Sequence, residues 1–183
     1  KVKKLLKKFY INLSILTNKN KINKNIQSRA RQIRYKLLED FCHKNGINKV
    51  LTAHNLEDQV ETFFIRLSRG SGLTGLSAMM PIRNLNKKIK LARPLLDTKK
   101  LFLIKISNKV FGKFFLDPSN KDTKYLRTKI RNLKKPLLKS GINYDQIIRS
   151  IKNLASSRAT LDQYFKNILK DVMTKSKEKV LIK

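Results

Sequence analysis

The sequence predicts an α/β fold built on a parallel sheet, followed by an α-helical segment. An amphipathic helix over residues 28–46 precedes a short apolar strand over 50–53 and a second amphipathic helix over 56–69. Helices that alternate with strands connect parallel strands by crossovers. Beyond residue 122 the pattern is helical, so we predict an α/β domain over 1–122 and a helical segment over 123–183.

The first elements are defined by apolar periodicity and by end signals. Residues 2–9 have the pattern of a helix, "INLSIL" (11–16) that of a short strand, and 17–25 that of a polar loop. Ser28 is a suitable N-cap residue for the next helix, and Gly46 suits the left-handed position after its end.

An arginine interrupts the apolar stripe of the 28–46 helix. At 100° per residue, Arg34 falls between Phe41 and Leu38 on the stripe, whose members are Ala30, Ile33, Leu37, Leu38 and Phe41. An arginine directed at a core needs a carboxylate, a phosphate or a ligand, because an unpaired buried charge is costly. Arg34 is therefore either a site residue or half of a structural ion pair with an Asp or Glu.

Three polar residues follow the strand over 50–53. His54 lies at its end, and Asp58 and Glu61 lie three apart near the start of the next helix, off its apolar stripe of Leu56, Val60, Phe63, Phe64 and Leu67. Open α/β sheets bind ligands at this edge. The two acids suit an ammonium group, a magnesium ion or acid–base work. Alternatively, they offset the helix dipole, and His54 is an ordinary hydrogen-bonded loop residue.

The stretch "SRGSGLTGL" (68–76) has the G-x-G-x-x-G spacing of a dinucleotide-binding loop. That loop works only between a strand and a helix. Here the glycines follow a helix, so we predict that Gly70 takes the left-handed position that ends it, while Gly72 and Gly75 shape the turn. No NAD site is predicted.

The later elements are a strand entering a turn (89–97), a helix (98–110), and a strand closed by turn residues (113–122). Helices are predicted over 123–135 and 143–175, with a last strand fragment at "KVLIK". The long helix has a seam that needs a partner helix, formed by Ile147, Ile151, Leu154, Arg158, Leu161, Phe165, Ile168 and Val172. Arg127 and Arg131, four apart, suit a phosphate or carboxylate clamp, or form a solvated basic face.

The amino-acid composition indicates which kinds of partner the chain can bind. The chain carries 43 Lys plus Arg against 12 Asp plus Glu, a formal charge of +31. Such a charge favours nucleic acid, although the excess of lysine is also expected from an AT-rich genome. No apolar run is long enough to span a membrane, and the basic N-terminus lacks the features of a signal peptide. Cys42 is the single cysteine, which excludes an internal disulfide, and a zinc site is not predicted. We expect a cytoplasmic protein without a membrane partner.

Four ordered blocks resemble bacterial tRNA(Ile)-lysidine synthases, which are PP-loop ATP-pyrophosphatases. The blocks are "SRARQIRYKLL", "VLTAHNLEDQVETFFIRLSRGSGLTGL", "LARPLLD" and "LDPSNKDTKYLRTKIR", within residues 1–135. The resemblance implies an adenine-nucleotide-hydrolase-like domain. It also implies ATP-dependent adenylation of the wobble cytidine at C2, followed by displacement of AMP by the ε-amine of L-lysine. The implied partners are ATP, Mg²⁺ and the isoleucine tRNA with a CAU anticodon; a homodimer is left open.

The resemblance also implies residue roles. Asp58 and Glu61 would hold the substrate lysine, and Arg34, in the R-x-x-R-Y block, would face the active site with His54. Arg127 would bind the lysine carboxylate or a phosphate, while Arg69 and Arg131 would contact RNA. Asn55 and Glu57 depart from the family pattern of T-A-H-H-x-D-D-x-x-E-T.

The family's ATP loop, S-G-G-x-D-S, does not occur in the sequence. The first strand, this loop and its helix are therefore expected to be missing, and the chain alone is expected neither to bind ATP strongly nor to modify tRNA. One alternative is a PP-loop tRNA thiolase, against which the single cysteine argues. The other is a non-catalytic basic RNA-binding module.

Overall fold

A computed structural model describes residues 2–18, 26–115, 126–175 and 180–182. The elements in chain order are α1 (Val2–Lys8), α2 (Ile26–Lys44), β1 (Lys49–Leu51), α3 (Leu56–Leu67), α4 (Leu73–Leu76), β2 (Ile82–Asn84), β3 (Lys90–Ala92), α5 (Lys100–Phe111), α6 (Leu126–Asn132), α7 (Lys134–Lys139), α8 (Tyr144–Val172), β4 (Met173–Lys175) and β5 (Val180–Ile182).

The elements form two compact units, each assembled from two stretches of chain. The first unit comprises Lys1–His54 and Pro81–Phe115, and the second comprises Asn55–Met80 and Leu116–Lys183. The boundary predicted at residue 122 lies outside the described residues.

The first unit contains a three-stranded sheet of order β1-β3-β2. Strand β3 pairs parallel with β1, so that Val50 faces Leu91, and antiparallel with β2, so that Arg83 faces Leu91. Ile89 and Leu91 are fully buried, so the centre of the unit lies at β3. The α/β class with a parallel strand pair is confirmed.

Two strand predictions for this unit need correction. Residues 11–18 form neither helix nor strand, and Ile11, Leu13 and Ile15 are exposed. In the described part of the chain, no strand pairs with them, and apolar alternation without a partner does not make a strand. The apolar residues predicted as a strand over 50–53 suggest burial on both faces, yet β1 is an edge of this sheet and Leu51 is 68% exposed.

The hairpin from β2 to β3 was not predicted. Asn86 Oδ1 accepts hydrogen bonds from the backbone N–H groups of Lys88 and Ile89, both at 2.9 Å. An asparagine that bonds to the backbone in this way replaces a regular turn. The hairpin makes the sheet mixed rather than purely parallel.

Helix ends in the first unit agree with the sequence in part. Helix α2 begins at Ile26, so Ser28 lies inside its first turn and is not the N-cap. Gly46 has φ +65°, the left-handed conformation predicted for it. Helix α5 confirms the helix predicted over 98–110.

The core of the second unit lies between α3, α4 and α8. Leu56 and Val60 of α3 and Ala78 pack against α8, whose buried residues are Ile147, Ile148 and Ile151. Phe63 and Phe64 pack against this cluster, as predicted for the α3 stripe, but Leu67 is exposed. The long helix begins with a capping box between Asn143 and Gln146.

The C-terminal helices differ in detail from the prediction. The helix predicted over 123–135 is described only from Leu126 and is followed by α7, in which Pro136 occupies the first turn, where no N–H is needed. Helix α8 ends at Val172, because Met173–Lys175 pairs antiparallel with Val180–Ile182 as β4 and β5. This pairing confirms the strand predicted at "KVLIK".

The seam predicted along α8 is covered at one end only. Ile147 and Ile151 are buried, whereas Leu161, Phe165 and Ile168 are exposed. Residues 113–115 form no strand, and the rest of the strand predicted over 113–122 lies outside the described residues. Among the helices of the described part, none has both the length and the apolar character needed to span a bilayer.

Candidate active site

A buried glutamate lies at the centre of the candidate site. Glu61 follows Val60 on α3 and is 1% exposed, among the most buried side chains described. The start of α3 fixes its position, because Asn55 Oδ1 accepts from the backbone N–H of Asp58 and Asp58 Oδ2 accepts from that of Asn55. A buried carboxylate needs partners of opposite charge, and α6 supplies them.

Arg131 of α6 forms a forked pair with Glu61. Its Nε donates to Oε1 at 2.7 Å and its Nη2 donates to Oε2 at 3.1 Å. The hydrogen bonds to Glu61 raise the pKa of Arg131, burial opposes this effect, and the charge of Glu61 adds to it. Both carboxylate oxygens are thus bound by one guanidinium group.

Arg127, one turn earlier on α6, is held less firmly. Its Nε lies 2.9 Å from Glu61 Oε2, which is an ion-pair distance, but the N–H is not aligned for a hydrogen bond. Its Nη2 donates a long bond of 3.4 Å to Thr62 Oγ1. Arg127 therefore has donor capacity that Glu61 does not use.

The group formed by Glu61, Arg127 and Arg131, called here the Glu61 group, carries one negative and two positive charges. The side chains of Arg127 and Arg131 are 41% and 31% exposed, so both guanidinium groups are accessible to solvent. An excess positive charge on a forked donor pair suits a carboxylate or a phosphate.

A second acid–base pair borders the Glu61 group. Lys134 Nζ lies 3.5 Å from Glu57 Oε1 and 4.9 Å from the centre of the Tyr144 ring. Burial raises the pKa of Tyr144, and the charges of Glu61 and Glu57 raise it further, while Arg131 lowers it. The phenol therefore stays protonated beside these acids.

Of the residues predicted from the sequence, the structure brings Glu61, Arg127 and Arg131 together. Asp58 lies one turn before Glu61 on α3, where one of its oxygens is occupied by the capping box. This bond was not predicted from the sequence, which offered the helix dipole as the structural alternative for Asp58, and it does not neutralise the charge of the carboxylate.

Arg34, His54 and Arg69 lie outside the Glu61 group. Arg34 is exposed, which corrects its predicted place on a buried stripe: the stripe of α2 is only half-buried, and Tyr35 takes the inward position beside it. His54 Nδ1 is hydrogen-bonded to Thr52 Oγ1 at 2.9 Å in the first unit. Arg69 is exposed after the end of α3.

The glycine-containing stretch after α3 is fixed by residues that sequence reasoning missed. Arg66 Nη1 donates to the carbonyl oxygens of Gly75 and Ala78, both at 2.7 Å, and the Gln59 amide is bonded to both backbone groups of Met79. Gly70 has φ +66°, as predicted. The glycines therefore shape a turn bound to α3; the role predicted for Arg69 stays a prediction.

The residues described contain no metal site formed by protein side chains alone. Within them, no three His, Cys, Asp or Glu side chains are grouped so that they could hold a metal ion. The nearby acids Glu57 and Glu61 are paired with cations instead. No step of the chemistry is therefore assigned to a metal on these residues.

Comparison with known proteins gives consistent results. The family model for the PP-loop domain matches residues 1–138. The chain is 34% identical over 152 residues to the tRNA(Ile)-lysidine synthase of Anaplasma marginale, covering 83% of this chain and 32% of that protein. It is 40% identical over 138 residues to that of Rhodopseudomonas palustris, covering 75% and 39%. It is 44% identical over 117 residues to that of Wolbachia pipientis, covering 64% and 27%.

The chain thus spans 27% to 39% of the length of these relatives. Among solved structures, the U34-tRNA thiolase NcsA from Methanococcus maripaludis aligns with a TM-score of 0.66 at 19% identity, covering 85% of this chain and 55% of that one. At this identity the likeness concerns the fold.

Proposed function

Because the chain belongs to the PP-loop domain family, whose model matches residues 1–138, we propose that it acts in the ATP-dependent ligation of lysine to the wobble cytidine of an isoleucine tRNA. The similarity to lysidine synthases, 34% to 44% identity with the three relatives above, supports this reaction. In it, the C2 oxygen of cytidine attacks the α-phosphate of ATP and releases pyrophosphate. The ε-amine of lysine then attacks C2, loses its proton, and AMP leaves with the oxygen.

The Glu61 group is the observation on which the assignment of roles rests. Free lysine has an α-carboxylate and an ammonium group, and it must be held while its amine reacts. The side chain of Arg127 is 41% exposed, and its guanidinium group suits the α-carboxylate or a phosphate. Arg131, bonded to both oxygens of Glu61, fixes the carboxylate that orients Arg127.

Asp58 is the acid proposed to hold an ammonium group of the substrate. Glu61 is already matched by two guanidinium groups, so its charge is compensated within the protein. Asp58 is half-buried one turn away and accepts a backbone N–H, which fixes its orientation without adding a positive charge. The high positive charge of the chain suits contacts with tRNA phosphates.

A thiolase activity is not favoured by the residues. Sulfur transfer in PP-loop enzymes commonly uses several cysteines, either for a cluster or for a persulfide. The chain has one cysteine, Cys42, which is buried and whose pKa is raised by burial and by Glu39. A buried, protonated thiol is a poor nucleophile.

The experiment is lysine transfer by the native gene product that contains these residues. Radiolabelled lysine is expected to enter an isoleucine tRNA transcript with a CAU anticodon, in an ATP-dependent manner, and not a methionine tRNA with the same anticodon. Incorporation of sulfur, or tRNA binding without any lysine transfer, would refute the proposal.

A further inference from the structure

Two arginines lie over a tyrosine in the first unit. Tyr35 is on α2, and the guanidinium carbon of Arg31, one turn earlier, lies 5.0 Å from the centre of its ring. The guanidinium carbon of Arg83, on β2, lies 5.1 Å from the same ring centre. Cations at this distance are attracted by the ring, but they repel each other.

A third arginine, Arg93, is hydrogen-bonded to Tyr35. Arg93 directly follows β3 and is 4% exposed, and its backbone N–H donates to the carbonyl of Pro81 at 2.8 Å. Burial lowers the pKa of Arg93; Tyr35, which shares a side-chain hydrogen bond with it, opposes this, and the charges of Arg83 and Arg31 lower it further. Three guanidinium groups thus surround one phenol.

This cluster of Arg31, Tyr35, Arg83 and Arg93, called here the Tyr35 cluster, brings three positive charges together. The buried Nε of Arg83 has no hydrogen-bond partner in the described part of the chain. Holding like charges together around a buried donor is costly unless an anion joins them.

The position of the cluster agrees with a ligand site. Arg93 comes directly after the carboxyl end of β3, which runs parallel to β1, and this is the edge at which α/β sheets bind ligands. Arg31 is exposed and Arg83 is half-buried, so an anion can reach the cluster from solvent. Two guanidinium groups already lie over the Tyr35 ring, so the ring is not free to stack on a base. The cluster instead presents positively charged donors, which suit an anion.

We propose that Arg31, Arg83 and Arg93 bind a phosphate group of RNA, with Tyr35 holding the three guanidinium groups in place. The assignment of RNA as the source rests on the proposed function, whereas phosphate binding itself does not. Arginine is suited to phosphate because its planar donors match two phosphate oxygens at once. The Tyr35 cluster and the Glu61 group have no residue in common.

Binding of inorganic phosphate by the 183-residue chain tests the site directly. Side-chain Nε signals of arginine are followed by nuclear magnetic resonance while phosphate replaces chloride at constant ionic strength. We expect saturable shifts at Arg31, Arg83 and Arg93. Absence of a saturable shift at these three signals overturns the proposal.

A matched pair of variants separates this site from the general positive charge. Arg31→Gln removes a cluster member, whereas Arg29→Gln removes the same charge from an exposed position on the same helix. Arg31→Gln is expected to weaken phosphate binding about tenfold, the effect of losing one charge-assisted contact, while Arg29→Gln changes it less than about twofold. Equal weakening by the two variants contradicts the proposal. Because Arg31 is exposed, its loss spares the fold, which a thermal melt verifies.

The source of the phosphate is tested by competition. A tetranucleotide RNA is expected to displace inorganic phosphate from the three arginine signals of the unmodified chain. Followed at the Arg83 and Arg93 signals, the displacement is expected to need more RNA in Arg31→Gln than in Arg29→Gln. Displacement by a non-hydrolysable ATP analogue but not by RNA would overturn the assignment to RNA. These binding measurements do not require lysine transfer, so failure of the proposed reaction would leave their result interpretable.

Discussion

Arg131 binds both carboxylate oxygens of Glu61, at 2.7 Å and 3.1 Å, and thereby joins α6 to the buried face of α3. The family resemblance implied that Glu61, with Asp58, holds the substrate lysine. In the structure its charge is matched by Arg131 and Arg127. We therefore propose that Glu61 positions two arginines, and a direct contact between Glu61 and lysine stays a prediction.

Glu61→Gln is expected to lower the free energy of unfolding by about 1–3 kcal/mol, since it leaves a buried amide against two guanidinium groups. Both arginines are partly exposed, which keeps the loss below that of a fully buried pair. Chemical denaturation measures it. Glu57→Gln is the control, because its pair with Lys134 is longer, at 3.5 Å, and is expected to contribute less than about 1 kcal/mol. Equal losses would contradict the central place given to Glu61.

The two arginines of the Glu61 group are expected to differ. Arg131→Gln breaks a forked pair and should destabilise the protein by about 1–3 kcal/mol, whereas Arg127→Gln should cost less than about 1 kcal/mol. In the native gene product, Arg127→Gln should raise the KM for lysine about tenfold through loss of a charge-assisted contact. Steady-state kinetics and denaturation curves of both variants check this order, and the reverse order would refute the division of roles.

Asp58→Asn tests the proposed ammonium contact. The KM for lysine should rise, or transfer should be lost, while the affinity for tRNA is unchanged, because the change removes one negative charge and no phosphate contact. Asn55→Ala is the control: it removes the other half of the capping box and should cost about 1 kcal/mol of stability without changing the KM for lysine. Equal loss of tRNA affinity in Asp58→Asn would rule out the assigned role.

Gly75 and Gly72 form a matched pair in the turn after α3. A Cβ atom at Gly75 would overlap with Ser71 Cβ, whereas one at Gly72 would meet nothing within 4 Å. Gly75→Ala is expected to lower the free energy of unfolding by about 1–3 kcal/mol, and Gly72→Ala by less than about 1 kcal/mol; chemical denaturation measures both. Adding Ser71→Gly should restore part of the loss at Gly75. A larger effect at Gly72 would contradict the packing described.

Tyr144 is expected to ionise at higher pH than an exposed tyrosine, because burial and the charges of Glu61 and Glu57 raise its pKa. A phenol with a raised pKa stabilises the fold fully below the ordinary tyrosine pKa of about 10, and this contribution is lost as pH rises through the folded value. Absorbance titration of the phenolate should show a late component that Tyr144→Phe removes. An unchanged titration curve in Tyr144→Phe would count against this environment.

Helices were predictable because their signals are local. The apolar residues of α2, α3 and α8 recur every three or four positions, which is the period of a helix. Gly46 and Gly70 adopt the left-handed conformation that is common directly after the end of a helix. Strands depend on partners distant in sequence. For that reason residues 11–16 were wrongly predicted as a strand, and the hairpin of β2 and β3 was missed.

The three residues of the Glu61 group could be singled out from the sequence, but the contacts between them could not. The sequence pattern placed Glu61 near the start of a helix and Arg127 one turn before Arg131. The ion pairs, however, join Glu61 to arginines that lie 66 and 70 positions later in the chain, and no local pattern indicates such a pairing. Arg34 was predicted to point inward because helical periodicity assigns a face without stating how deeply it is buried. The neighbouring Tyr35 and Arg31 form the charged cluster instead.

Lysine transfer tests the account most directly. With the native gene product, ATP and an isoleucine tRNA bearing a CAU anticodon, we expect radiolabelled lysine to enter the tRNA with release of one AMP per lysine, and Arg127→Gln to raise the KM for lysine more than the KM for tRNA. Absence of lysine-dependent AMP release, or an Arg127→Gln effect confined to tRNA affinity, would contradict the proposed function of the Glu61 group.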